Sequence, residues 1–178
     1  MRWFGLLSLL LVVLPLKAET LAQRVEQLNA NVIFMRHALA PGFGDPENFD
    51  LSQCDTQRNL NDEGRAQARE IGSKLRATNL RFTEVLSSQW CRCSETAELL
   101  GLGDWSTFSG LNSFFQGYAQ RESTLAKLNT YLEGVGGDEL VVLVTHQVVI
   151  SAATGISPQS GGIVLYNSET NRAEAWRW

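Results

Sequence analysis

The chain contains 178 residues, of which 44% are hydrophobic and 19% charged, and its formal net charge at pH 7 is −4. That length fits one domain with a sizeable core. Basic runs, and basic residues interleaved with aromatics, are both missing from the sequence. Together with the acidic balance, this pattern excludes a nucleic-acid footprint.

Residues 1–18 have the features of a secretory signal peptide. Arg2 provides a charged start, residues 6–16 an apolar core, and Ala18 a small residue at the cleavage position. The apolar run is too short for a comfortable membrane span, although an uncleaved anchor is the alternative. We therefore expect cleavage before Glu19, a periplasmic or secreted location, no stable membrane insertion afterwards, and one domain over residues 19–178.

The remaining sequence predicts alternating helices and strands. In chain order we expect a helix over 19–29, a strand over 32–35, a helix beginning at Asn61, a strand over 82–87, a helix over 94–100, a helix over 119–132, a strand over 140–145, a helix over 147–154 and a hairpin of 163–167 with 173–178. Such alternation predicts an α/β sheet with helices on its faces. The long polar loop over 39–57 is typical of a lid or a specificity element.

Two histidines, the only ones in the chain, directly follow two of the predicted strands. His37 comes after Arg36 at the end of the first strand, and His146 comes after Thr145 at the end of the third. Ligands bind at the carboxyl edge of an open α/β sheet, so both histidines are candidates for chemistry. For His37 by itself, a surface histidine beside a strand end is the alternative.

Four segments, in the same order, resemble the histidine phosphatase superfamily, which is also called the phosphoglycerate-mutase-like family. Arg36-His37-Ala38 is similar to its Arg-His-x signature, and the segment from Ser88 to Ala97 is similar to its Ser-x-x-x-Arg-x-x-x-Thr-Ala motif. His146 matches its late strand-end histidine, and residues 58–68 match the start of its following helix. The resemblance implies a phosphoglycerate-mutase-like three-layer α/β/α sandwich in a single domain.

The resemblance also implies a chemistry for these residues. His37 would attack phosphorus and become phosphohistidine, Arg36 and Arg92 would clamp the phosphoryl group, and His146 would donate to it across the pocket. A neutral imidazole is a competent nucleophile, and the planar guanidinium suits phosphate oxygens. No metal ion or other cofactor is expected.

Four further positions are candidates for other roles. Arg58 is a candidate third guanidinium at the substrate, with a surface ion pair to a loop acid as the alternative. Gln147 follows His146 directly and is a candidate substrate contact. Ser88 and Thr96 are expected to serve mainly the local structure.

The chain departs from the family pattern at the general acid. Many members have a carboxylate in a Leu-x-Glu segment, where this chain has Leu111-Asn112-Ser113, and the acidic branch has one where this chain has Gln147. Glu122 or an acid of the 39–57 loop is the candidate replacement. Alternatively, the leaving group needs no proton, as in an acyl phosphate or a phosphohistidine.

All three cysteines lie after the predicted leader. Exported proteins tend to pair their thiols, so we expect one disulfide from Cys54 to either Cys91 or Cys93. Cys91 is favoured because Cys93 lies one helical turn before Ala97, on the predicted inner face. A metal site is the alternative, but Cys-x-Cys with one distant cysteine lacks the usual two-residue spacing.

The sequence thus predicts a secreted or periplasmic, metal-independent phosphatase that hydrolyses a phosphate monoester through phosphohistidine. The substrate would be a small phosphorylated compound, and an envelope phospho-sugar is suggested by location alone. A catalytically weak phosphate-binding module of the same fold is the rival interpretation. A third is an envelope interaction protein that uses the loop and the aromatic C-terminus.

Overall fold

In the computed structural model of the protein, the described part of the chain is residues 19–178; the signal-peptide prediction falls on residues 1–18 and lies outside it. The elements in chain order are α1 (Leu21–Leu28), β1 (Val32–Arg36), α2 (Asp62–Arg76), β2 (Glu84–Ser87), α3 (Cys91–Leu100), β3 (Ser106–Thr107), α4 (Arg121–Gly134), β4 (Val141–Thr145), α5 (Gln147–Thr154), β5 (Ile163–Asn167) and β6 (Arg172–Trp176). Short 3₁₀ turns occur at Cys54–Thr56, Ser109–Leu111 and Phe115–Gly117. No helix within residues 19–178 is long and apolar enough to cross a membrane.

The strands form one six-stranded mixed sheet in the order β3-β2-β4-β1-β5-β6. Strands β1 to β4 pair in parallel, whereas β5 is antiparallel to both of its neighbours. Arg36 of β1 lies opposite Thr145 of β4, and Ser87 of β2 lies opposite Val144 of β4. The chain therefore leaves β1, β2 and β4 at one common carboxyl edge of the sheet.

Helices cover both faces of the sheet. Successive strand residues point to opposite faces, so each strand contributes side chains to both layers of the core. In β1, Ile33 and Met35 pack with residues of α1, α2 and α3, whereas Val32 and Phe34 pack with residues of α4 and α5. These four side chains are fully buried. The fold is the predicted three-layer α/β/α sandwich in a single domain.

Helix α2 begins against the chain segment that leaves β1. Asn61 caps the helix by accepting a hydrogen bond from the Gly64 N–H at 2.8 Å, and Asp62 and Glu63 suit the positive end of the helix dipole. Only glycine fits at position 64, because a Cβ there would lie 2.0 Å from the carbonyl oxygen of Leu39. This close approach holds the segment after His37 in place.

Most element boundaries agree with the sequence prediction to within two or three residues. Helix α3 begins at Cys91 rather than Ser94, which places Arg92 in its first turn as expected. Strand β3 was not predicted, because its two exposed residues carry no hydrophobic periodicity and pair only with the end of β2.

Candidate active site

A cavity of about 170 Å³ opens at the carboxyl edge of the sheet. The structure brings six predicted residues together at its lining: Arg36, His37, Arg58, Arg92, His146 and Gln147. The parallel register of β1 and β4 is what places the two histidine rings side by side, with centroids 5.5 Å apart.

His37 is almost completely buried, and one of its nitrogens has a defined partner. Its Nδ1 lies 2.8 Å from the carbonyl oxygen of Ala38. Because a carbonyl oxygen only accepts, Nδ1 carries the hydrogen and Nε2 retains its lone pair. Burial and the positive charge of Arg92 hold the pKa of His37 well below its usual 6.5. The ring is therefore neutral at pH 7, in the tautomer that a nucleophile at Nε2 requires.

The hydrogen-bond partners of His146 determine its tautomer as well. The backbone N–H of Gln89 donates to Asn112 Oδ1 at 3.0 Å, which fixes the orientation of that amide. Ser88 Oγ lies 3.2 Å from the same oxygen and must donate to it. Ser88 Oγ then accepts from His146 Nε2 at 2.9 Å, so the hydrogen of His146 is on Nε2.

The other nitrogen of His146 consequently has a lone pair. Its Nδ1 faces the Nη2 group of Arg92 at 3.5 Å, and burial and Arg92 also keep the pKa of His146 well below its usual value. The resemblance implied that His146 donates to the phosphoryl group, but the single N–H of the resting ring already donates to Ser88. Such a donation requires Nδ1 to receive a proton first, and a phosphate monoanion can supply one.

Three guanidinium groups converge on the cavity. Arg36 Nη1 donates to the Pro158 carbonyl at 3.1 Å, and Arg58 Nε donates to the Gly44 carbonyl at 2.8 Å. The Nε–H groups of Arg36 and Arg92 are buried and have no hydrogen-bond partner within residues 19–178. Buried donors normally have acceptors, so these two are exceptions. The planar guanidinium groups at the cavity suit the oxygens of a phosphate anion. Burial, aided by Arg92, lowers the pKa of Arg58 to about 10.

A carboxylate from the 39–57 loop is the charge partner of Arg92. Asp45 binds the guanidinium through both oxygens, at 2.7 and 3.1 Å, and both side chains are at most 4% exposed. Asp45 also accepts from Trp90 Nε1 and from the Arg58 backbone N–H. Burial would raise the pKa of Asp45, but the hydrogen bonds and charge of Arg92 outweigh it and lower the pKa. Asp45 is therefore an anion here, not a proton donor.

The predicted acid Glu122 is not brought to the cavity. It is exposed in the first turn of α4, where Thr124, Leu128 and Leu132 form the buried face. Glu122 precedes Thr124 by two residues, so it projects to the opposite side of the helix. Where many family members have a glutamate, Ser113 lines the cavity, and none of the described lining residues is Asp or Glu.

The disulfide of the structure joins Cys54 to Cys91, with Cα atoms 5.7 Å apart, so Cys93 is the free cysteine. The bond ties the 39–57 loop to the residue before Arg92. Cys93 points inward, 3.4 Å from His146 Nε2, and burial raises the pKa of its thiol to about 12. No group of three or more His, Cys, Asp or Glu side chains in residues 19–178 is arranged to hold a metal ion.

Sequence reasoning missed three residues that organise this site. It assigned Ser88 and Thr96 to local structure, yet Ser88 orients His146, and Thr96 Oγ1 accepts from the Ala38 N–H at 3.1 Å. Asn112 was noted only as part of the segment in which many family members have a carboxylate and this chain has none. The position of Ser88 at the end of β2 was the one available signal for its role.

Comparison with known proteins agrees with this geometry. Residues 32–113 match the sequence model of the histidine phosphatase superfamily (branch 1). The matched segment contains Arg36, His37, Arg58 and Arg92 and is similar to that superfamily. The mitochondrial serine/threonine-protein phosphatases Pgam5 of Drosophila mojavensis and Drosophila virilis are each 29% identical to it over 80 residues, which is 45% of this chain. The aligned part spans 25% of the length of these relatives.

Solved structures with the same fold include several phosphatases. The protein histidine phosphatase SixA complexed with tungstate has a TM-score of 0.55 at 20% identity, with 83% of this chain and 94% of that chain covered. A mycobacterial glucosyl-3-phosphoglycerate phosphatase has a TM-score of 0.58 at 15% identity, with 84% and 98% covered. The phosphoglycerate mutase of Plasmodium falciparum has a TM-score of 0.52 at 19% identity, with 83% and 88% covered. These similarities show a phosphoglycerate-mutase-like fold.

Proposed function

We propose that the mature protein is an exported, metal-independent phosphatase that hydrolyses a phosphate monoester through a phosphohistidine on His37. The observation that carries the proposal is the state of His37. Its ring is neutral, Nδ1–H is bound to the Ala38 carbonyl, and Nε2 has a lone pair beside three guanidinium groups.

The reaction has two displacement steps at phosphorus. In the first, His37 Nε2 attacks, a P–N bond forms, and the P–O bond to the leaving group breaks. Arg36 and Arg92, whose guanidinium groups line the cavity, bind the phosphoryl oxygens. In the second, water attacks phosphorus, the P–N bond breaks, and inorganic phosphate leaves the restored imidazole.

Within residues 19–178, no carboxylic acid lines the cavity. A proton for the leaving group would come from the phosphate monoanion itself, by way of His146 Nδ1; otherwise the leaving group departs as an anion. Substrates with good leaving groups are therefore favoured; acyl phosphates and phosphohistidine belong to this class.

Export is supported by the leader-like residues 1–18 and by the Cys54–Cys91 disulfide, since disulfides persist in oxidising compartments. N-terminal sequencing of the exported protein should begin at Glu19. An envelope phospho-sugar is the substrate class that location by itself favours.

The test is to trap the intermediate. A brief quench with ³²P-labelled substrate should yield a phosphoenzyme that is acid-labile and alkali-stable, as a phosphoramidate is. His37→Ala should lose both the label and turnover, and chelators should change neither. Label that survives in His37→Ala would refute the mechanism. Binding of vanadate without turnover of any aryl phosphate would instead support the rival phosphate-binding module.

A further inference from the structure

The mouth of the cavity is lined by two exposed phenyl rings. Phe43 is 89% exposed and Phe115 is 39% exposed. Their ring centroids are 5.1 Å apart in an edge-to-face arrangement, and both rings line the cavity that contains His37. Exposed aromatic surface at the rim of a polar pocket is typical of a ligand-binding surface.

Hydrogen bonds hold the two chain segments that carry these rings. Arg58 Nε donates to the Gly44 carbonyl and Nη1 to the Ala40 carbonyl, on the two sides of Phe43. Gln116, which follows Phe115, accepts from the Asp45 N–H at 2.7 Å and donates to the Asp45 carbonyl at 3.2 Å. The two segments are thereby joined to each other, and one of the phosphate-site arginines supports the ring-bearing loop.

The cavity lining thus combines two kinds of side chain. Arginine and histidine side chains suit a phosphoryl group, and Phe43, Phe115 and Val148 add apolar surface to the same cavity. A substrate that contacts both kinds of side chain has an apolar group beside its phosphate. Aromatic rings contact one another favourably face-offset or edge-to-face, so a flat ring suits the two phenyl rings best.

The missing carboxylic acid leads independently to the same class of substrate. An unassisted leaving group must be stable as an anion, and a phenolic hydroxyl, with a pKa of about 10, is far more acidic than an aliphatic alcohol. Building on the proposed phosphatase function, we propose that the preferred substrate is an aryl phosphate, the phosphate ester of an aromatic hydroxyl, and that Phe43 and Phe115 determine this specificity by packing against its ring.

The experiment separates ring recognition from leaving-group chemistry. The purified protein is given phenyl phosphate and an alkyl phosphate whose alcohol has been fluorinated until it is as acidic as phenol. The value of kcat/KM should favour phenyl phosphate by about tenfold, since an aromatic contact contributes roughly 0.5–1.5 kcal/mol and 1.4 kcal/mol is tenfold.

The variants Phe43→Ala and Phe115→Ala should each reduce this preference by about threefold, because each ring provides about half of the total free energy. They should leave the alkyl reaction and the inhibition constant of inorganic phosphate within about twofold, because the arginine side chains are unchanged. Phe43→Tyr should retain the preference. Trp178→Ala is the matched control, since Trp178 is 48% exposed but does not line the cavity.

Equal rates on the two matched substrates, or equal losses on both in the phenylalanine variants, would overturn the proposal. A higher kcat/KM for phosphoimidazole or for a phosphorylated sugar than for phenyl phosphate would also overturn it. In all these cases turnover that requires His37 would still stand. Failure of the phosphatase function itself looks different: no substrate is turned over and no phosphoenzyme forms.

Discussion

Replacement of Asp45 tests the importance of the loop carboxylate that pairs with Arg92. Both side chains are at most 4% exposed, so Asp45→Asn leaves the Arg92 charge buried without its counter-ion. The new amide group would also place N–H hydrogens against the donors of Arg92 or Trp90. Breaking a buried pair by removing one partner costs about 3–5 kcal/mol. Asp45→Asn should therefore unfold at a urea concentration roughly 1–3 M lower than the wild type.

The assay is urea unfolding at pH 7, followed by circular dichroism and tryptophan fluorescence. Glu70→Gln is the control, because Glu70 is largely exposed in its ion pair with Lys74 in the middle of α2, and its loss should cost at most about 0.5 kcal/mol. An unfolding midpoint of Asp45→Asn within experimental error of the wild type would refute the reasoning.

The pH dependence of this difference has a definite sign. The pKa of Asp45 in the folded protein lies below its usual 3.8, so its contribution is present above that pH and is lost as pH falls through the folded-state value. The gap in stability between wild type and Asp45→Asn should therefore close in acid. A gap that stays constant down to strongly acidic pH would show that Asp45 stabilises by packing and not by charge.

Four further predictions concern the catalytic site. Ser113→Glu puts a carboxyl group where many family members have one, and it should raise turnover of alkyl phosphates and flatten the dependence of rate on leaving-group pKa, whereas Ser113→Gln should not. Arg92→Ala should lower turnover on the order of 100-fold or more, and Arg58→Ala less, because Arg58 also donates to loop carbonyls; equal losses would contradict this ranking. Denatured, unreduced protein should contain one free thiol, and reduction of the disulfide, which closes a 37-residue separation, should cost about 4 kcal/mol of stability measured in urea. Because the pKa of His37 in the free enzyme lies well below 6.5, kcat/KM should show no decrease from protonation of this ring between pH 7.5 and 6.5, and a decrease there that persists in variants of the other titratable residues at the cavity would contradict this.

The sequence by itself determined the framework of the site. His37, Arg36 and His146 follow apolar strands, and strand ends are local features that a hydrophobic run reveals. Arg92 was found through a motif that lies within one strand end and one helix turn. The positions of these residues at the site depend on their neighbours in the chain and on parallel pairing of the strands. The alternation of strands and helices already implies that pairing.

Only the tertiary structure decided how the side chains engage one another. Asp45 lies in a loop without periodicity and meets Arg92 from 47 residues away, and Asn112 determines the tautomer of His146 from another separate segment. Glu122 was excluded by the rotation of α4, which depends on which helix face packs against the sheet. Such contacts arise where segments distant in the chain converge, and their geometry is determined by packing and by pairing of buried polar groups, which no local pattern records.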